Sequence, residues 1–181
     1  RDVTEAIGAE LDRAGSDREV MLLLVLADRG DDAVLPKLLQ VAQKASKPTR
    51  VATVGLLDRF GDISVVPVLL NAASDADADL SQTAKATLTR MEGKPVDAAL
   101  LARLPQSSGK TRQIIIELAA LRRIEAAVPA IVPAAEDTDP GVRRAALNTL
   151  GTLGSERQAG DLVRLLSKAQ APADRDAIEG A

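Results

Sequence analysis

Apolar residues return along the chain at three- and four-residue spacing, with polar residues between them, which is the pattern of one-sided helices. Val3, Ile7 and Leu11 fall on one such face. The same rhythm predicts helices at about 17–29, 32–44, 49–60, 63–73, 80–91, 95–104, 110–122, 125–135, 140–153 and 157–168. Another begins near Pro172, a residue favoured at the first helical position. No stretch alternates apolar and polar residues for long enough to predict a strand.

These helices form a repeat. With Gly30 as anchor, the equivalent positions are Gly61, Gly93, Arg123 and Gly154, spaced 31, 32, 30 and 31 residues apart. Five and eight residues after the anchor stand Leu35/Leu38, Val66/Leu69, Ala98/Leu101, Val128/Ile131 and Ala159/Leu162. Seven before it stand Leu23, Val54, Ala86, Ile116 and Leu147. A glycine at the anchor suits a helix C-terminus that closes in the left-handed conformation. Pro36, Pro67 and Pro129, six residues later, fit the first turn of a second helix, where a missing N–H has no partner to lose. Each unit therefore reads as helix A, a tight turn, then helix B. The expected fold is all-α, a right-handed α-α superhelix (α-solenoid) of about five helix pairs with a 31-residue period. Residues 2–14 read as a leftover helix B, and the repeats fall at about 16–45, 46–76, 77–107, 108–138 and 139–170. Residues 171–181 read as the start of a further helix, so that 1–181 is expected to be one array cut from a longer chain.

The run Glu136-Asp137-Thr138-Asp139-Pro140-Gly141-Val142-Arg143-Arg144-Ala145-Ala146-Leu147-Asn148-Thr149-Leu150-Gly151 resembles the signature of HEAT repeats. More narrowly, it is similar to the short bacterial HEAT-like subgroup named after phycobilisome lyases. The resemblance covers roughly 16–170 and implies a fold that mostly binds other proteins. Its arginine column holds Arg50, Arg112 and Arg143, with Gln82 and Glu19 in the other two repeats. A planar guanidinium suits partly buried pairing with an acidic loop residue such as Asp139 or with a helix end, so this column reads as a structural ladder.

Composition narrows the chemistry. Cys, His, Trp and Tyr are absent and Phe60 is the one aromatic residue, which removes thiolate and imidazole nucleophiles, bases and metal ligands. Phe60 itself reads as a plug at the end of a helix A. A net charge of −3 without stacking aromatics argues against nucleic-acid binding, including the HEAT-like DNA glycosylase type. No apolar run is long enough for a membrane span. Gly109-Lys110-Thr111 echoes a phosphate-binding loop, but Leu104 stands where its first glycine belongs and the preceding element reads as helix. Ser107 and Lys110 have serine–lysine hydrolase spacing without that family's companion motifs. Asp75, Asp77 and Asp79 open like a calcium loop, yet Leu80 and Ala86 occupy the required Gly and Glu positions. No catalytic, cofactor or metal site is expected.

The reading is a non-catalytic scaffold that binds a protein or peptide. The alternative is a chromophore lyase or another enzyme-associated HEAT-like domain. The resemblance implies that helix B lines the concave side. With anchor +5, +8 and +12 in the core, +3, +7, +10 and +14 face away. The expected partner-binding residues are Lys37 and Gln40, Val68 and Asn71, then Val96, Leu100 and Arg103, then Ala126, Ala130 and Pro133, with Arg164 at the far end. The middle of that strip is mainly apolar and its ends are polar, as in a binding groove.

Overall fold

A computed structural model describes residues 2–11, 13–29, 32–60, 63–154 and 160. Its helices are α1 (Asp2–Leu11), α2 (Ser16–Arg29), α3 (Leu35–Lys44), α4 (Lys47–Leu56), α5 (Val66–Ala73), α6 (Ala78–Arg90), α7 (Lys94–Arg103), α8 (Gly109–Leu121), α9 (Val128–Ile131) and α10 (Pro140–Leu153). Single 3-10 turns lead into α3, α5 and α9, and others extend α4, α7 and α9. The described residues contain no strand. The helices expected at 157–168 and beyond Pro172 lie outside the described residues.

Two compact units result, Arg1–Val96 and Asp97–Ala181, and the chain passes from one to the other early in α7. In the first, the A helices α2, α4 and α6 stack side by side. There α3 packs on α4 and α5, α5 packs on α6, and α1 covers part of α2. In the second, α8 packs against α10, and α9 with its trailing 3-10 turn packs on α10 as well. Short connections make consecutive helices antiparallel neighbours, so each unit is an all-α stack of helix pairs, the local architecture of an α-solenoid.

Burial follows a strict period. Leu26, Leu57, Leu88, Ala119 and Leu150 stand 31 residues apart on the A helices, and each is at most 1% exposed. On the B side Val34/Leu38/Ala42, Val65/Leu69/Ala73, Val96/Leu100/Leu104 and Ala127/Ile131/Ala135 keep the same interval, and all are buried. The third repeat therefore differs from the sequence expectation. Its period position is Glu92, and its glycine sits one residue later. Ala98 and Ala86, expected in the core, are exposed, and Leu101 is only half-buried. A turn glycine can slide by one residue because either position tolerates left-handed backbone. A helix face cannot, since one residue rotates it by about 100°.

Left-handed closure is kept at two of the three described anchors, for Gly154 stays extended at φ −62°. Gly93 has φ +99°, and Arg123 takes φ +54° despite its side chain. At Arg123 the Ile124 N–H donates to the Ala119 carbonyl (2.9 Å) and the Arg123 N–H to that of Ala120 (3.1 Å), which closes a Schellman turn on α8. Pro36, Pro67 and Pro129 lie in the first turns of α3, α5 and α9. At the N-terminal ends of α6 and α10, carboxylates cap. Asp77 accepts from the Leu80 N–H (3.1 Å), and Asp139 from those of Gly141 (2.7 Å) and Val142 (3.3 Å).

Candidate functional site

The helix-B strip expected from the sequence is broken by the structure. In the first unit Lys37 and Val68 are half-buried and Gln40 and Asn71 are exposed, on α3 and α5. In the second, Ala126, Ala130 and Pro133 are exposed, whereas Arg103 is half-buried with Nη1 donating to the Ala99 carbonyl (3.2 Å). Val96 and Leu100 are not surface residues: each is 1% exposed, because the shifted glycine misplaced this helix by one position. Arg164 lies outside the described residues.

The arginine column meets the loops. Arg50 reaches Asp75 through Nη2 (3.2 Å) and the Ala42 carbonyl through Nε (3.2 Å). Arg112 Nη1 donates to Asp137 (2.7 Å), and Arg143 Nη1 to the carbonyls of Asp137 and Thr138 (3.0 and 3.2 Å). The Nε of Arg112 is buried with no hydrogen-bond partner among the described residues. The carbonyl equivalent to that of Ala42 two repeats on, that of Leu104, instead accepts from the Ser107 N–H across a 3-10 turn (3.3 Å).

The carboxylates of the Asp75–Asp79 loop are likewise engaged. Lys47 Nζ lies 2.6 Å from Asp77 and 3.0 Å from Asp79, and Asp75 accepts from the Asp77 N–H (3.0 Å) as well as from Arg50. Among the described residues, no three acidic, His or Cys side chains are grouped to hold a metal ion. The Lys47 ammonium, then the Leu80 N–H, holds the Asp77 carboxyl below its ordinary range. The Asp77 N–H, then Arg50, does the same for Asp75, and Asp77 followed by Asp79 raises Lys47. The carboxylates therefore stabilise the fold above their unfolded value near 3.8 and lose that contribution as pH falls through the lower folded value. Lys47 contributes below 10.5 and loses its contribution as pH rises through its raised value. Urea midpoints measured from about pH 5 down to about pH 2 are expected to fall, and to fall less in Asp77→Asn. An identical acid slope in the variant would contradict this assignment.

A second ladder escaped the sequence reading. At the C-terminal ends of the A helices in the first unit, Arg59 pairs with Asp28, and Arg90 Nε pairs with Asp58 (2.8 Å) while its Nη2 reaches the Gly55 carbonyl (3.2 Å). Each arginine crosses the seam to the preceding A helix, and the repeated Asp-Arg pairs at 28–29 and 58–59 were its signal. At the α8–α10 seam of the second unit, the same columns hold Ala120, Leu121 and Thr152. Among the described residues no charge pair crosses that seam, and a groove of about 420 Å³ lies along it. Leu121 stands 64% exposed at its edge. Gln113 Nε2 donates to Glu117 on one wall (2.7 Å), and Arg144, Ala145 and Asn148 form the other. At the base the Thr149 hydroxyl donates to the Ile116 carbonyl (3.2 Å). At the N-terminal end Gly141 lets the Gln113 side chain approach α10, since a Cβ there would come within 2.9 Å of Gln113 Oε1. A second apolar surface lies on α2, where Met21, Leu24 and Val25 are 69%, 43% and 48% exposed.

Residues 98–181 match the family of HEAT repeats. The fold is also found in solved structures. The complex of CpcE and CpcF of phycocyanin lyase from Nostoc sp. PCC7120 is 20% identical, with 96% of this chain and 74% of that one covered, at a TM-score of 0.52. The TOG domain array of crescerin, which regulates microtubules in the primary cilium, is 15% identical, with 94% and 87% covered, at a TM-score of 0.63. At these identities the likeness is one of fold. No curated protein matches the sequence. The fold is that of the α-solenoid class, and residues 98–181 carry the likeness to HEAT repeats. No helix among its described residues is long and apolar enough to cross a membrane.

Proposed function

We propose that this chain is a non-catalytic scaffold that binds a protein partner through surfaces formed between and along its repeat helices. The observation that carries the reading is the open α8–α10 seam, where an exposed Leu121 stands in place of the charge pairs that bridge the α2–α4 and α4–α6 seams of the first unit. Exposed apolar surface framed by polar side chains is what a binding site offers and a solvated face does not. The HEAT-type fold supports the same reading by analogy, since stacked repeats supply extended surface. The helix-B positions Lys37, Gln40, Val68 and Asn71 remain part of the proposal as a second face in the first unit. Affinity capture with the purified chain, followed by rebinding of the captured protein to Leu121→Ser and Val68→Asp, tests it. Loss of binding in either variant is expected. Capture of no protein by the folded chain would overturn the scaffold reading.

A further inference from the structure

Two faces that are buried in other repeats stand open at the front of the first unit. On the B side Val34/Leu38/Ala42, Val65/Leu69/Ala73 and Val96/Leu100/Leu104 are each at most 4% exposed. One period earlier, on α1, the same column holds Val3, Ile7 and Leu11. Leu11 is 2% exposed, Ile7 is half-buried and Val3 is 56% exposed. On the A helices a second column turns toward the preceding A helix. It holds Thr49/Thr53/Leu56 on α4, Leu80/Ala84/Thr87 on α6 and Val142/Ala146/Thr149 on α10, none more than 8% exposed. Its direction is fixed by the Thr49 hydroxyl, which donates to Glu19 on α2 (2.8 Å), and by that of Thr149, which donates to the Ile116 carbonyl on α8 (3.2 Å). On α2 this column holds Arg18, exposed, Leu22, half-buried, and Val25, 48% exposed. Met21 beside it, 69% exposed, takes the column of Thr83, whose methyl group would lie 3.4 Å from a Cβ on Gly55 of α4.

We propose that the notch between α1 and α2 is the seat of one more A helix, supplied by the same polypeptide ahead of Arg1. The occupant follows from the columns. α1 already has the A helix that follows it, α2, and lacks the one of its own repeat. α2 has the A helix that follows it, α4, and lacks the one before it. One helix fills both places, and it continues the side-by-side stack of α2, α4 and α6 in the same register. It turns an apolar stripe to Val3 and Ile7, and small or apolar side chains to Leu22, Val25 and Met21. Arg18 departs from its column of Thr49, Leu80 and Val142. It reaches Glu10 on α1 (3.0 Å) with its side chain 67% exposed, and the pair forms a polar rim at that end of the seat. Leu24 shares the column of Gly55 and Asn148 and stays outside the seam. The apolar surface of Met21 and Val25 is then an internal seam of a longer stack, and partners bind elsewhere on the scaffold.

The two methionines, Met21 and Met91, supply the readout, because oxidation to the sulfoxide follows exposure. Met91 is 2% exposed and serves as the internal control. Residues 1–181 and the natural polypeptide extended upstream by one 31-residue period are treated with dilute hydrogen peroxide, and both methionines are followed by mass spectrometry. In 1–181, Met21 should oxidise far ahead of Met91. In the extended protein Met21 should slow by about tenfold or more, and helical circular dichroism should rise. Val25→Asp should restore fast Met21 oxidation in the extended protein. In 1–181 the same variant should leave both rates and the helical spectrum unchanged, because Val25 is at the surface there. Equal Met21 rates in the two proteins overturn the proposal, as does a natural polypeptide with too few residues ahead of Arg1 to form a helix. Protection of Met21 in 1–181 that grows with protein concentration would assign the face to a second copy and overturn it as well.

Discussion

Leu100→Asp is expected to unfold the segment around α7 and leave no folded state in which binding could be measured. Leu100 is 1% exposed and shares its face of α7 with Val96 and, in the following 3-10 turn, Leu104, each also 1% exposed. Replacing it with aspartate removes a buried aliphatic side chain and leaves a carboxylate to be desolvated. Together these cost on the order of 4 kcal/mol or more. A surface reading of the same residue predicts an unchanged circular dichroism spectrum and a urea midpoint within error of the parent. The measurement therefore decides directly between the glycine-anchored register and the strict 31-residue one. Val68→Asp, at a half-buried position on α5, should be far milder.

The second large effect is expected at Leu69. Its side chain is fully buried on α5, a helix that packs on both α3 and α6. Leu69→Ala should destabilise by about 2–4 kcal/mol, combining lost burial with the cavity left behind. In a stack whose stability comes from neighbouring interfaces, this loss falls on the α3–α5 and α5–α6 contacts together. Urea titration followed by circular dichroism reads the change. A shift below about 0.5 kcal/mol would mean that Leu69 is not a core residue.

The helices were legible because burial of one face per helix leaves a periodic trace, and five copies of that trace reinforce each other. Columns such as Leu26, Leu57, Leu88, Ala119 and Leu150 need no knowledge of partners. The third repeat was misread where identity and period disagreed, and the structure sides with period at Val96 and Leu100. The Schellman turn at Arg123 shows the same point in reverse, for its geometry is kept although the glycine is gone. The α8–α10 groove was not legible. Whether a seam stays open depends on which long polar side chains reach across it, and Arg59 or Arg90 looks in sequence like any solvated arginine. Leu121 carried a weak signal as an apolar residue standing in an otherwise polar column.

The seam arginines also set how this chain can change by gain or loss of whole repeats. Arg59 and Arg90 occupy one column of successive A helices, so excising a single 31-residue period from the front unit would bring Arg90 opposite Asp28. A helix joined there by recombination would find a cognate neighbour. The α8–α10 seam is written in different residues. A helix carrying arginine in its Thr152 column, placed against α8, would meet Ala120 and Leu121 and find no acid. The front seams thus follow one pairing rule, and the α8–α10 seam follows another.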